Sequence, residues 1–207
     1  MAIKVLITGF GHFPGAPVNP TATLVERLVK AARRRGIRCV GHVFATEYKT
    51  VDRELPALIE RHRPNAVLMF GLAARRRTLC IEMCARNRTS MRSPDAGGYA
   101  PRRAVIAAGA RARVSGRAPL ARLLAAARAS GIRSRLSRDA GDYLCNYLYW
   151  RALEHSAKPR GPQIAVFVHV PNVRAKSRRP GQRASFTIDQ LVRAGNAVLS
   201  AVVAACR

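Results

Sequence analysis

Between residues 3 and 70, apolar segments with strand patterning alternate with segments of helical period, and this alternation constrains the fold more than anything else in the chain. Residues 3–8 read as a buried strand, followed by a Gly/Pro loop over 9–20. In residues 21–35, Ala22, Leu24, Val25, Leu28, Val29 and Ala32 recur at the helical period, and Gly36 stands where a C-cap is expected. Residues 39–46 alternate like a strand, 51–62 form a helix with Pro56 near its first turn, and 65–70 return as a strand. A β-α-β-α-β order implies an α/β fold in three layers, α/β/α, around a central, mostly parallel twisted sheet.

The second half continues the pattern. Residues 79–85 are a strand in which Leu79, Ile81 and Met83 alternate with Cys80 and Cys84, so both thiols share a face. The polar, Gly-rich stretch 87–101 reads as a surface excursion, and 102–107 as a short strand. Helices follow over 119–130, 143–155 and 188–206, with strands at 132–136 and 164–170. Repeats, linkers and low-complexity tails are absent, so residues 1–207 are expected to form one domain.

Composition narrows the class. Residues 1–7 lack the charged region and long apolar core of a signal peptide, and no continuous apolar run approaches the roughly 18 residues of a bilayer span. A cytoplasmic protein with free thiols is expected. The Cys80/Cys84 spacing is a weak metal signature without a second Cys/His pair, so both are read as packing residues and no metal is assigned. The net charge is +26, and 32 of the 37 basic residues are arginine. Such a charge attracts nucleic acid and anionic surfaces without specificity. The arginines are spread along the chain, at 33–35, 75–77, 102–103, 111, 113 and 178–179, with no interleaved aromatics of the kind that grip single strands. The apolar face of the last helix is a candidate surface for homo-oligomerisation.

Chemistry centres on Cys145, at the start of the 143–155 helix after a turn-like Asp139-Ala140-Gly141-Asp142 stretch. A helix start favours thiolate, and His169, at the end of the 164–170 strand, is a candidate base. Ligands of parallel α/β sheets gather beyond the carboxyl ends of the strands. Four segments should therefore converge: the loop after the first strand, 71–77, the turn before Cys145, and the end of the His169 strand.

Five ordered motifs carry a resemblance through nearly the whole chain. They are Ile7-Thr8-Gly9-Phe10-Gly11-His12-Phe13 with Asn19-Pro20-Thr21, then Gly71-Leu72-Ala73-Ala74-Arg75-Arg76 with Glu82, and Asn87 with Pro94-Asp95 and Gly97-Gly98. Ala140-Gly141-Asp142-Tyr143-Leu144-Cys145-Asn146 and Val168-His169-Val170-Pro171 complete the set. The pattern resembles pyroglutamyl peptidase type I, a family of cysteine peptidases. The resemblance implies a triad of Cys145 as nucleophile, His169 as base and acid, and Glu82 orienting the imidazole, with no cofactor. It further implies Phe10 and Phe13 around the substrate's lactam ring, Asn19 serving the lactam or bracing the loop, Arg76 as electrostatic support, and short peptides with N-terminal pyroglutamate as substrates.

The chain departs from that pattern at Gly11 (Glu in the family), His12 (Pro) and Arg75 (Gly), all near the expected pocket. An amidase acting on another small acyl group is therefore a second reading. A non-catalytic basic protein holding nucleic acid or acidic partners is a third, and the presence of all three triad positions argues against it.

Overall fold

A computed structural model describes residues 3–13, 18–173 and 186–207; Arg178 and Arg179 lie outside them. In chain order the elements are β1 (Lys4–Phe10), α1 (Pro20–Arg34), β2 (Arg38–Phe44), α2 (Tyr48–His62), β3 (Ala66–Leu72), β4 (Leu79–Glu82) and β5 (Ala85–Arg86). They continue with β6 (Arg113–Val114), α3 (Leu120–Ala129), β7 (Ser134–Ser137), α4 (Leu144–Ser156), β8 (Ile164–Val170) and α5 (Ile188–Ala205). Six strands form one sheet in the order β2-β1-β3-β8-β4-β7, and β5 pairs with β6 separately. The first four are parallel, β4 runs antiparallel to β8, and β7 is parallel to β4.

The strand period of two divides the core between the two faces of the sheet. Val5, Ile7, Leu68, Phe70, Val166 and Val168 pack with α1, α3 and α5, whereas Leu6, Val67, Met69 and Phe167 pack with α2 and α4. This is the expected three-layer α/β/α arrangement. β8 is buried along its whole length, as a central parallel strand covered on both faces must be.

Local chemistry explains the element ends. Asn19 caps α1 by accepting from the Thr21 N–H, Pro20 opens the helix, and Gly36 leaves it at φ +70°. α2 begins three residues before the expected Val51, which places Pro56 inside the helix rather than near its first turn. The earlier start has a cause: Asp95 Oδ2 accepts the Tyr48 N–H at 3.0 Å, supplying the cap that Glu47 does not. Thus 87–101 is only partly a surface excursion, since Thr89 and Asp95 are buried within it.

Three further expectations change. Residues 102–107 form no strand; the backbone N–H groups of Ile106 and Ala107 instead donate to the Asn87 side chain. Cys80 and Cys84 do not share a strand, because β4 stops at Glu82, and each thiol donates to a backbone carbonyl, of Thr78 and Arg138 respectively. α5 has the length and hydropathy of a membrane span. Its Leu191, Ala194, Val198, Leu199 and Val202 are nevertheless buried against the core, and none of the large exposed hydrophobics among the described residues belongs to it. The apolar face expected to support association is therefore turned inward.

Candidate active site

Across the antiparallel β4–β8 ladder, Cys80 opposes His169. Opposed residues share a face, and Glu82, two residues further along β4, returns to it. The result is a contact of 2.7 Å between Glu82 Oε1 and His169 Nδ1, with Glu82 fully buried and His169 5% exposed. Arg76 reaches the same carboxylate oxygen through Nη1 at 2.5 Å. Its Nη1 also donates to Ser137 Oγ at 3.4 Å, and its Nη2 donates to the Asp139 carbonyl.

These contacts set the protonation states. Burial opposes ionisation of Glu82, but the His169 hydrogen bond, Ser137 and the Arg76 guanidinium together hold its carboxyl below the usual range. Burial also disfavours imidazolium at His169, and this outweighs the support from Glu82, so its pKa lies below the ordinary value. At neutral pH, Glu82 is a carboxylate and His169 a neutral ring. Acceptance by the carboxylate places the ring proton on Nδ1 and leaves Nε2 as the basic nitrogen.

Cys145 is the second residue of α4, and Tyr143 before it offers no side-chain cap. The first-turn N–H groups therefore keep their donor capacity. Gly141, at φ +83°, makes the turn that feeds the helix. Asn146 is wholly buried and anchors the helix start to β5: its Oδ1 accepts from Arg86 N–H at 2.8 Å, and its Nδ2 donates to the carbonyls of Arg86 at 2.8 Å and Arg88 at 2.9 Å. Gly71, at the end of β3, permits close approach, because a Cβ there would lie 2.7 Å from Cys145 Sγ and 2.6 Å from Phe167. Two influences oppose each other at this sulfur, the helix start favouring thiolate and burial favouring thiol. Burial, followed by the charge of Glu82, pushes the Cys145 thiol up to about 12, beyond what Arg76 and the helix-start N–H can offset.

Cys145 and His169 open onto one cavity of about 410 Å³ at the carboxyl ends of β1, β3 and β8. All four segments expected to converge contribute to its wall. Phe10, Phe13, Asn19, Arg75 and Arg76 line it with them, while Glu82 lies behind His169. Phe10 is also core, packed near Phe44, and Phe13 lies against Tyr143 at a ring separation of 6.3 Å. Asn19 is committed to the loop: besides capping α1, its Nδ2 donates to the Gly11 carbonyl at 2.9 Å. Gly11 has space around it, since an added Cβ would meet only the Phe44 carbonyl at 3.6 Å. Thr46, Tyr143 and Leu144 also line the cavity and were not singled out from the sequence. Tyr143 and Leu144 sit inside the Cys145 motif, whereas nothing in the sequence marks Thr46.

A thiol, an imidazole and a buried carboxylate on one edge of an α/β sheet are the equipment of a cysteine hydrolase. Comparison with known proteins defines the class further. A family model described as pyroglutamyl peptidase matches residues 3–207. The chain is 31% identical to the pyrrolidone-carboxylate peptidase of Gloeobacter violaceus over 95% of each chain. It is 30% identical to that of Pyrococcus furiosus over 83% of this chain and 82% of the other. The crystal structure of pyroglutamyl peptidase I from Bacillus amyloliquefaciens superposes with a TM-score of 0.87 at 27% identity, covering 98% of this chain and 97% of the other. The chain is a cysteine peptidase of α/β fold. It belongs to the pyroglutamyl peptidase family.

Proposed function

We propose that this chain, acting as one domain in the cytoplasm, hydrolyses the amide bond after an N-terminal pyroglutamyl residue of short peptides. The observation that carries the reading is the 2.7 Å contact between Glu82 and His169, whose ring opens onto the same cavity as the Cys145 sulfur. Phe10 and Phe13 offer aromatic surface to a flat lactam ring, and Asn19 braces the loop bearing them.

The resting pair is a thiol and a neutral imidazole. As Cys145 Sγ attacks the pyroglutamyl carbonyl, its proton passes to His169 Nε2, and Glu82 stabilises the imidazolium through Nδ1. Charge on the carbonyl oxygen is met by free N–H groups of the first turn of α4. Collapse breaks the C–N bond, and His169 returns the proton to the leaving amine, leaving a thioester on Cys145. Water, deprotonated by His169, attacks the thioester; free pyroglutamate departs and the thiol regains its proton. Arg76, with both terminal nitrogens engaged, acts by holding Glu82 ionised and in place rather than by reaching the substrate.

A panel of fluorogenic amides tests the reading. Release from the pyroglutamyl amide, blocked by iodoacetamide, is expected, with far slower release from prolyl, glutamyl and acetyl amides. A preference for one of the other acyl groups would favour the amidase reading; of the three departures from the family pattern, Arg75 lines the cavity, and Gly11 and His12 belong to the loop between Phe10 and Phe13.

A further inference from the structure

We infer that Arg75 reads the residue on the leaving side of the scissile bond and favours peptides with an acidic residue directly after pyroglutamate. The inference rests on the reaction proposed above and concerns the other half of the same cavity. The ring-binding aromatics stand on the β1 side, whereas His169, which hands its proton to the leaving amine, lies two strands away on β8. The leaving peptide must therefore exit on the His169 side.

The 73–76 turn occupies that exit. The Ala73 N–H donates to the Val170 carbonyl at 2.9 Å, which carries the segment across the end of β8. Asn172 Nδ2 donates to the Ala74 carbonyl, and Arg76 N–H donates back to the Ala73 carbonyl. Within this turn the two arginines divide. Arg76 points inward onto Glu82, whereas Arg75 is exposed and lines the cavity.

Arg75 has no carboxylate within ion-pair distance among the described residues. Residues 1–2, 14–17 and 174–185 contain no Asp or Glu at all. Asp142, the one carboxylate lining the cavity among the described residues, stands 4.0 Å from Arg88 Nε, and Asp139, outside the lining, is 2.9 Å from Arg86 Nη2. Among the described residues lining the cavity, Arg75 is thus a guanidinium with no carboxylate partner, and a substrate carboxylate is the group that complements it. The position is glycine in the family pattern, so the preference belongs to this chain's own residue.

The test uses three C-terminally amidated pyroglutamyl tripeptides differing only in Glu, Gln or Lys at the second position, with wild type, Arg75→Gln and Arg75→Glu. Because Arg75 is exposed, the expected kcat/KM ratio of Glu over Gln in wild type is about 2–5-fold, falling toward one at about 0.5 M salt. Arg75→Gln brings the ratio to about one at low salt, and Arg75→Glu turns the preference toward Lys. Ratios are taken within each variant, so a change in folded fraction cancels. Equal kcat/KM for all three peptides in wild type, or an unchanged ratio in Arg75→Gln, overturns the assignment of Arg75 while leaving the reaction intact. Cleavage of none of the peptides overturns the reaction, and this inference with it.

Discussion

Glu82 carries three loads at once: it fixes the tautomer of His169, stabilises the imidazolium during turnover, and neutralises a partly buried Arg76. Replacing it with Gln keeps the shape but removes the charge, so kcat is expected to fall by about 10²–10⁴-fold, as when an orienting carboxylate becomes an amide. A kcat within a few-fold of wild type in a folded Glu82→Gln protein would remove Glu82 from the triad. The neutral resting pair has its own signature. With the thiol raised to about 12, iodoacetamide should react slowly with Cys145 at pH 7 and faster with every step toward alkaline pH. A rate plateau already reached below pH 7 would instead reveal a preformed thiolate. Stability follows the same groups. Glu82 and His169 both have folded pKa values below their unfolded ones, so the folded state binds fewer protons at each. Stability from His169 is complete above its unfolded value of about 6.5 and is lost as pH falls through its lower folded value; Glu82 repeats this from about 4.3 downward. The thermal midpoint should therefore drop as pH is lowered below about 6.5, and a midpoint constant from pH 7 to 4 would contradict the assignment.

α4 carries the thiol and β8 the imidazole to one cavity, and Asn146 in α4 and Gly71 at the end of β3 fix where the sulfur sits. Asn146→Ala orphans the Arg86 N–H and the Arg86 and Arg88 carbonyls in a part-buried seam. An expected loss of about 1–3 kcal/mol is measurable by urea unfolding. Gly71→Ala drives a methyl into Cys145 Sγ and Phe167, so activity should fall sharply, with a destabilisation of about 1–3 kcal/mol. Wild-type turnover in that variant would mean that the sulfur is not held where its neighbours place it. Neither constraint was legible in the sequence, because each depends on long-range pairing that local pattern does not encode. The strands and helices were legible where period and length agree, as in β8 and α5. They were misread where a remote partner intervenes: Asp95 lengthens α2, and Asn87 takes the backbone bonds that a strand at 102–107 would have used. The two-residue strands β5 and β6 are too short for any period to show. Cys145 and His169 stood out by their positions at a helix start and a strand end, but the burial that raises the thiol against the helix start is a property of packing alone.

At the scale of the molecule, a net charge of +26 is spread along the chain. Among the described residues, Arg76 at Glu82, Arg86 at Asp139 and Arg151 at Asp52 and Glu154 are compensated, whereas the 11 acidic residues cannot serve 37 cations. Self-repulsion of that size destabilises the compact state, so the thermal midpoint should rise between about 10 and 150 mM salt as screening shortens from about 30 to 8 Å. A midpoint that falls over this range would show that local ion pairs outweigh the net charge. Function is more local than charge, and comes down to one sulfur in one cavity. Hydrolysis of a pyroglutamyl fluorogenic amide by wild type and Cys145→Ala, compared at matched folded concentration, tests that dependence without intermediaries. Thiol-sensitive release by the wild type is expected, with none above background from the variant. Sustained release by Cys145→Ala, or a folded wild type whose alkylatable Cys145 releases nothing, would contradict the assignment of Cys145 as nucleophile.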